Sequence, residues 1–361
     1  MTLTPQNANK RLRVGVLGAG PIAQAAHFDS CTKAANAGLY AICEVADDLR
    51  ERMAIAHGAA RAFKDFDAML ADPNVDAVII ATADAFHVPA SMRALAAGKH
   101  VLCEKPAGVT VEEVRELQAA VDRSGLTFQV GHMKRFDAGL QAARHFIETG
   151  LGEIVAFKAW YCDSTRRYQM TDAVQPRIVT SAHAKKPAAD PKIDLGRYYM
   201  LAHGCHLIDT ARYLAGEIAS VQARLSERAG IRCWFVDVAF ASGALGHLDL
   251  TVAVRMDWHE GFQLYGEHGS IVARTFNPWY FRSSEVDIFR EADGVTHRVL
   301  GADGHFYRRQ LEAFARTILD GTPLEGASVA DGLACVQTMV AIARSVETGA
   351  RVTLAEVSGG V

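Results

Sequence analysis

Apolar runs and amphipathic stretches alternate through about the first third of the chain. Leu12–Leu17 is a short apolar run that ends in glycines, and a helical pattern starts at Ile22. Gly38–Val45 is the next strand candidate. Val75–Thr82 is almost continuously apolar between turn formers, as in a parallel strand buried on both faces. Lys99–Cys103 and Thr127–Val130 predict two further strands. Leu49–His57, Pro89–Ala97 and Val111–Ser124 carry helical spacing between them. Strands that alternate with helices require right-handed crossovers, so this half predicts an α/β, doubly wound parallel sheet.

The rhythm changes after about residue 135. Phe136–Thr149 reads as a linking helix. Ile154–Cys162, Ala219–Leu225, Trp234–Phe240, Gly246–Val254, Gly261–Tyr265 and Ser270–Arg274 are rich in aromatic and β-branched residues, and several alternate. They predict an α+β domain with a large open, mainly antiparallel sheet covered on one face. Helices are expected at Met200–Leu214, Arg308–Leu319 and Val329–Thr348. The predicted domains are 1–133 and 134–361. Asp163–Tyr198 fits neither period and carries Arg166, Arg167, Arg177, Lys185, Lys186, Lys192 and Arg197. So long an irregular stretch is either a functional loop or a solvated excursion.

Gly18-Ala19-Gly20-Pro21-Ile22-Ala23 fits G-x-G-x-x-A between the first strand and the first helix. Gly18 permits the tight turn, Gly20 admits a pyrophosphate, and Ala23 lets helix and strand pack. The helix start then offers N–H groups and positive dipole to phosphate. Such a motif is weak alone and much stronger in this strand-to-helix context. Glu44 follows the second strand, 24 residues after Gly20, against about 20 in the usual fingerprint. A carboxylate there accepts ribose hydroxyls and repels a 2′-phosphate, so the predicted cofactor is NAD. Asp47 and Asp48 are rivals that read as helix caps.

Composition narrows the class. The chain has 361 residues, 50% of them hydrophobic, and a net charge of −3, so no broad basic field invites nucleic acid. Its seven cysteines form no CxxC pattern, which predicts reduced thiols and a cytoplasmic protein. No signal-like leader or membrane partner is expected from the polar first ten residues.

These motifs, with Ala81-Thr82-Ala83 before His87, Glu104-Lys105-Pro106 after a strand, Gly131 through Phe136, and Gly204-Cys205-His206 with Asp209, resemble the Gfo/Idh/MocA oxidoreductases, the family of glucose–fructose oxidoreductase and inositol dehydrogenase. The resemblance spans nearly the whole chain. It implies an N-terminal Rossmann domain, a C-terminal domain on an open sheet, and a homodimer or homotetramer. It implies cofactor contacts from Gly18, Gly20, Pro21, Ile22, Glu44, Ala81, Thr82, His87, Glu104 and Lys105. Two positions depart from the family pattern. Met133 and Lys134 stand where asparagine and arginine are frequent, and Ala202 stands where an aspartate often precedes the catalytic histidine.

Oxidising a secondary alcohol needs a base for the hydroxyl proton and a carbinol hydrogen aimed at the nicotinamide. Lys105 is expected to bind the substrate oxygen, its pKa lowered by burial and by the cationic cofactor. Otherwise it is a surface lysine paired with Glu104. His206 is expected to carry the proton, oriented by Asp209 at i+3, and His203 offers a second acid/base group. A core role for His206 is the plain alternative. Zinc is not expected at His203–Cys205–His206, since a fourth ligand is lacking. His132, Tyr161, Asp163 and Arg166 are the expected substrate contacts, with Tyr198, Tyr199 and Trp258 nearby by region. The basic stretch raises the possibility of an anionic, sulfonated or carboxylated sugar. Three functions compete: net oxidation or reduction of a sugar, glycoside or cyclitol; redox-neutral glycoside hydrolysis through transient oxidation and elimination; and non-catalytic NAD-dependent regulation.

Overall fold

The computed structural model of the chain describes residues 11–164, 176–185, 191–301 and 303–361. Strands β1 (Leu12–Leu17), β2 (Ala37–Cys43), β3 (Arg61–Phe63), β4 (Ala77–Ile80), β5 (His100–Cys103) and β6 (Phe128–Val130) form one sheet in the order β3-β2-β1-β4-β5-β6. All its pairings are parallel. Val14, Val16, Ile79 and Ile80 are fully buried, because helices cover both faces. The order reverses between β1 and β4, which opens a crevice at the strands' carboxyl ends. β3 and the helix Phe66–Leu70 were not legible in the sequence. Arg61–Phe63 is too short to show alternation.

The second sheet holds β7 (Ile154–Ser164), β8 (Ile218–Arg228), β9 (Ile231–Phe240), β10 (Leu245–Val254), β11 (His259–Gly266), β12 (Gly269–Thr275), β13 (Glu285–Arg290), β14 (Val295–Val299) and β15 (Val352–Thr353). Their order is β14-β13-β12-β11-β7-β10-β9-β8-β15. The β7–β10 pairing is parallel and the others are antiparallel. On central β7 the residues Phe157, Ala159, Tyr161 and Asp163 are buried on one face, while Lys158 is exposed on the other. The expected alternation therefore delivers Tyr161 and Asp163 to the covered face. β14 escaped the sequence reading because it is a polar, exposed edge strand, and β13 because only Val286 and Ile288 of its six residues are buried.

The two sheets share their helices. The helix Phe306–Asp320 returns to the first sheet and packs Leu311, Phe314 and Ala315 with Val14 and Val16. The helix Val329–Thr348 is long and apolar enough to cross a membrane by composition, yet it lies packed inside the protein. The expected helix at Met200–Leu214 is divided into a π-helical turn, Met200–Gly204, and a helix, Cys205–Ala215. The linking helix begins later than expected, at Ala138, where Asp137 caps it through the Gly139 N–H at 2.7 Å.

A buried charge network joins these parts. Arg135, just past β6, donates to both carboxylate oxygens of Asp209 on the Cys205–Ala215 helix, the shortest contact being 2.7 Å. It also meets Asp331, at the start of the Val329–Thr348 helix, at 3.1 Å. Burial alone would raise the Asp331 carboxyl. The Arg135 charge and the Ser328 hydrogen bonds outweigh it and pull the pKa down to about 2. A depressed carboxylate stabilises the fold above its unfolded pKa and loses that contribution as pH falls toward the folded value. Acidification from about pH 4 to about pH 2 is therefore expected to remove about 2 kcal/mol through this group. Urea melts across that range should show the loss in the native protein and a smaller one in Asp331→Asn.

Candidate active site

The glycine turn is fixed by its neighbours. Gly18 has φ +92° and its N–H donates to the Cys43 carbonyl at 2.9 Å. A Cβ there would stand 2.8 Å from the Ala81 carbonyl oxygen, so the site requires glycine. A Cβ at Gly20 would meet nothing within 4 Å. That open space lies where a helical run begins through exposed Pro21 and half-buried Ile22. Glu44 follows β2 directly. One of its oxygens accepts the Ala19 N–H at 3.0 Å and the other accepts the Ala46 N–H at 3.1 Å. The Thr82 hydroxyl, beside buried Ala81, is buried without a partner among the described residues. An open phosphate cradle, a fixed carboxylate and an orphan hydroxyl along one crevice fit a dinucleotide.

Two expected cofactor residues face inward instead. His87 is 1% exposed, with Nδ1 2.7 Å from the Pro106 carbonyl and Nε2 3.1 Å from the Thr82 carbonyl. It braces the two loops that flank the crevice. Glu104 is buried, 2.8 Å from His27 Nε2, and accepts the Lys105 N–H at 3.2 Å. Asp47 and Asp48 do not cap their helix, whose N-cap is Ala46. Asp47 pairs with Arg50 and Lys64, and Asp48 accepts from Ser181.

Lys105 leaves the carboxyl end of β5 and crosses to the second sheet's helices. Its Nζ donates to the Ala202 carbonyl at 3.0 Å, inside the π-helical turn that also carries His203. Burial pulls the ammonium down, but nearby Cys205, Glu104 and Asp84 outweigh it and leave its pKa above the ordinary lysine value. The expected lowering is thus not met in the protein alone. His206 is buried, and its ring lies parallel to Tyr161 with centroids 6.1 Å apart. Burial, reinforced by the charges of Lys105 and Lys134, holds it well below the usual imidazole range, so it is neutral at pH 7. No hydrogen-bond partner engages it among the described residues. Asp209 does not orient it, because Arg135 takes that carboxylate.

His203 is anchored on its Nδ1 side, 3.1 Å from the Tyr161 hydroxyl and 3.5 Å from Asp163. Tyr199 and Trp258 pack nearby, at 5.8 Å from His203 and 5.2 Å from Tyr161 respectively. His132 is 1% exposed, its ring nitrogens without a hydrogen bond among the described residues, with Nδ1 3.7 Å from Asp209. Burial lowers its pKa. Among the described residues no metal-binding cluster of His, Cys, Asp and Glu occurs. Arg166, Arg167 and Lys186 lie outside the described residues. Three other basic residues of that stretch have contacts of their own. Lys185 sits over Phe86, Lys192 over Tyr198, and Arg197 donates to the Val361 carbonyl.

Comparison with known proteins agrees with this geometry. Residues 12–132 match the oxidoreductase family model with an NAD-binding Rossmann fold, and residues 140–272 match the GFO/IDH/MocA C-terminal domain. The chain belongs to the Gfo/Idh/MocA family. Among its relatives, inositol 2-dehydrogenase 2 of Saccharopolyspora erythraea is 29% identical, with 94% of each chain covered. Myo-inositol 2-dehydrogenase of Thermotoga maritima is 25% identical over 96% of this chain and 100% of the relative. Levoglucosan dehydrogenase, solved with NADH and L-sorbose, shares the fold at TM-score 0.77 and 22% identity, covering 97% of this chain and 100% of its own. This Gfo/Idh/MocA protein is an NAD-binding oxidoreductase of the sugar and cyclitol dehydrogenase type.

The two departures from the family pattern now have places. Lys134 is buried, pairs with Glu260 and lies 4.7 Å from the Tyr161 ring centroid. Trp258 and Thr275 also donate to Glu260. Ala202 offers Lys105 a backbone carbonyl where relatives often offer a carboxylate. Sequence reasoning missed Glu260, whose only signal was a carboxylate on an otherwise apolar strand face. For the cofactor site, Glu44→Ala is expected to weaken NADH binding at least about tenfold and to narrow the preference over NADPH. Fluorescence titration with both nucleotides measures this.

Proposed function

We propose that this protein moves a hydride between NAD and a secondary hydroxyl carbon of a sugar, sugar glycoside or cyclitol, with Lys105 holding the substrate oxygen and His206 carrying its proton. One observation carries the reading: the Lys105 ammonium spans from β5 to the helical run of His203 and His206, at 3.0 Å from Ala202. The crevice and the pocket thus meet at one cation. Bound NAD supplies the hydride acceptor or donor at nicotinamide C4.

The rest is done by side chains. Gly18, Gly20 and Glu44 orient the dinucleotide, with Thr82 as a further polar contact. Lys105, with its raised pKa, stays charged and stabilises alkoxide as the hydroxyl loses its proton. His206, neutral and unpartnered among the described residues, accepts that proton in oxidation and returns it in reduction. Tyr161 and Asp163 hold His203 at the same pocket, where it serves as a second acid/base group. His132 lies behind, near Asp209. Residues 1–133 are the proposed cofactor domain and 134–361 the substrate and oligomerisation domain. Exposed Phe235, Tyr265 and Val272 on the open sheet face support a homodimer or homotetramer. Seven unpaired cysteines suit a reducing cytoplasm.

The paired histidines favour one second reading, redox-neutral hydrolysis of a glycoside. Oxidation acidifies the C–H beside the new carbonyl, one base removes that proton, the aglycone leaves, water adds, and the carbonyl is reduced again. Two imidazoles divide that work more readily than one. An anionic substrate has less support, because Lys185 and Arg197 of the basic stretch are engaged with Phe86 and the Val361 carbonyl. A purely regulatory protein has no need of Lys105 and His206 in one pocket.

Lys105→Ala is expected to lower turnover by about a thousandfold or more while NADH binding persists. Turnover at the native rate in that variant would remove lysine from the mechanism. With a 4-nitrophenyl glycoside and catalytic NAD, steady NADH accumulation is the expected outcome. Nitrophenol release without stoichiometric NADH would establish the hydrolytic reading in its place.

A further inference from the structure

Residues 176–185 lie in sequence between β7 and the helix Leu195–Tyr199, yet they rest against the crevice of the first sheet. Three anchors hold them there. The Gln24 carboxamide exchanges two hydrogen bonds with the Val179 backbone, both 2.9 Å. The Ser181 hydroxyl donates to Asp48 at 2.7 Å. The Lys185 ammonium sits 4.9 Å from the Phe86 ring centroid. Val179 and Ala184 also pack against the apolar cluster under β1 and β2.

The anchors follow β1, β2 and β4, which are neighbours in the order β2-β1-β4. They therefore cross the carboxyl ends of the strands on both sides of the switch point, where a dinucleotide lies. Gln24 also donates to the Ala19 carbonyl at 2.8 Å, so the first anchor is fastened to the glycine turn itself. The segment carries Arg177, His183 and Lys185 and no carboxylate. That charge suits a pyrophosphate beneath it.

We propose that residues 176–185 are a cover for the dinucleotide groove, supplied by the same chain, and that NADH leaves only when this cover undocks. The proposal rests on NAD binding at the glycine turn. The Ser181 and Lys185 anchors are single contacts and the Gln24 anchor is a pair of hydrogen bonds, so the cover opens readily enough to exchange cofactor but limits its rate. Gln24 and Ser181 are positioning residues here, with no part in the chemistry.

The test is stopped-flow measurement of NADH binding and displacement with the full chain. Ser181→Ala/Lys185→Ala loosens the cover without touching the glycine turn, and is expected to speed NADH release about tenfold while leaving KM for the sugar unchanged. Gln24→Ala should also speed release. Native release rates in the double variant overturn the cover, even where Gln24→Ala is faster, because that result belongs to the glycine turn. Faster association with unchanged release also overturns it and makes the segment a plug. A native protein that binds no NADH would remove the cofactor assignment and the cover together, an outcome distinct from altered rates.

Discussion

The buried pair of Arg135 and Asp209 sets the geometry on which the site depends. Arg135 belongs to the turn that leaves the parallel sheet, and Asp209 to the helix that presents His206. Their bidentate contact fixes how that helix meets the carboxyl ends of β5 and β6. Lys105 reaches Ala202 only if this placement holds. Such a pair is a poor source of stability, because two ions must be taken out of water. Its value here is positional: a planar guanidinium against a carboxylate admits one orientation, and removing Arg135 strands the buried Asp209 charge, at a cost of about 3–5 kcal/mol. Asp331 adds a second carboxylate to the same arginine and brings the long C-terminal helix into register with the site.

The charges around the pocket follow from that arrangement. Lys105 and Lys134 approach from the first sheet's exit loops, while Tyr161 and Glu260 come from the second sheet. Carboxylates pair with the cations but leave His206 between them. Burial and the adjacent positive charges therefore keep this imidazole neutral. Lys105 is held the other way, above its ordinary pKa. Neighbouring groups pushed in opposite directions divide the labour between a standing cation and a proton acceptor. The aspartate missing at Ala202 does not leave Lys105 unpartnered, because a backbone carbonyl takes its place.

Much of this was legible in the sequence, and the limits have physical reasons. β1, β4 and β5 stand out because both faces of a central parallel strand must be apolar. Gly18 was readable because the turn needs a positive φ that other residues resist. Tyr161 and Asp163 were named by region, and the alternation of β7 is what turns both to the covered face. His87 and Glu104 were assigned to the cofactor because motifs report proximity in sequence, whereas side-chain direction is settled by partners such as Pro106 and His27. Asp209 was given to His206 by helical spacing alone. Its true partner, Arg135, is 74 residues away and could not be found by any local rule. β14 was silent because an edge strand need not be apolar.

The irregular stretch after β7 shows the same limit in its strongest form. Its positive charge suggested an anionic substrate, since cations near a pocket are natural oxyanion partners. Composition cannot say which of two neighbouring sites a loop faces. Tertiary contacts show it for the described part: Val179 meets Gln24, Ser181 meets Asp48 and Lys185 meets Phe86, so residues 176–185 face the first sheet. A loop that starts on the substrate sheet and docks on the cofactor sheet ties the two halves by a second route, independent of Arg135 and Asp209.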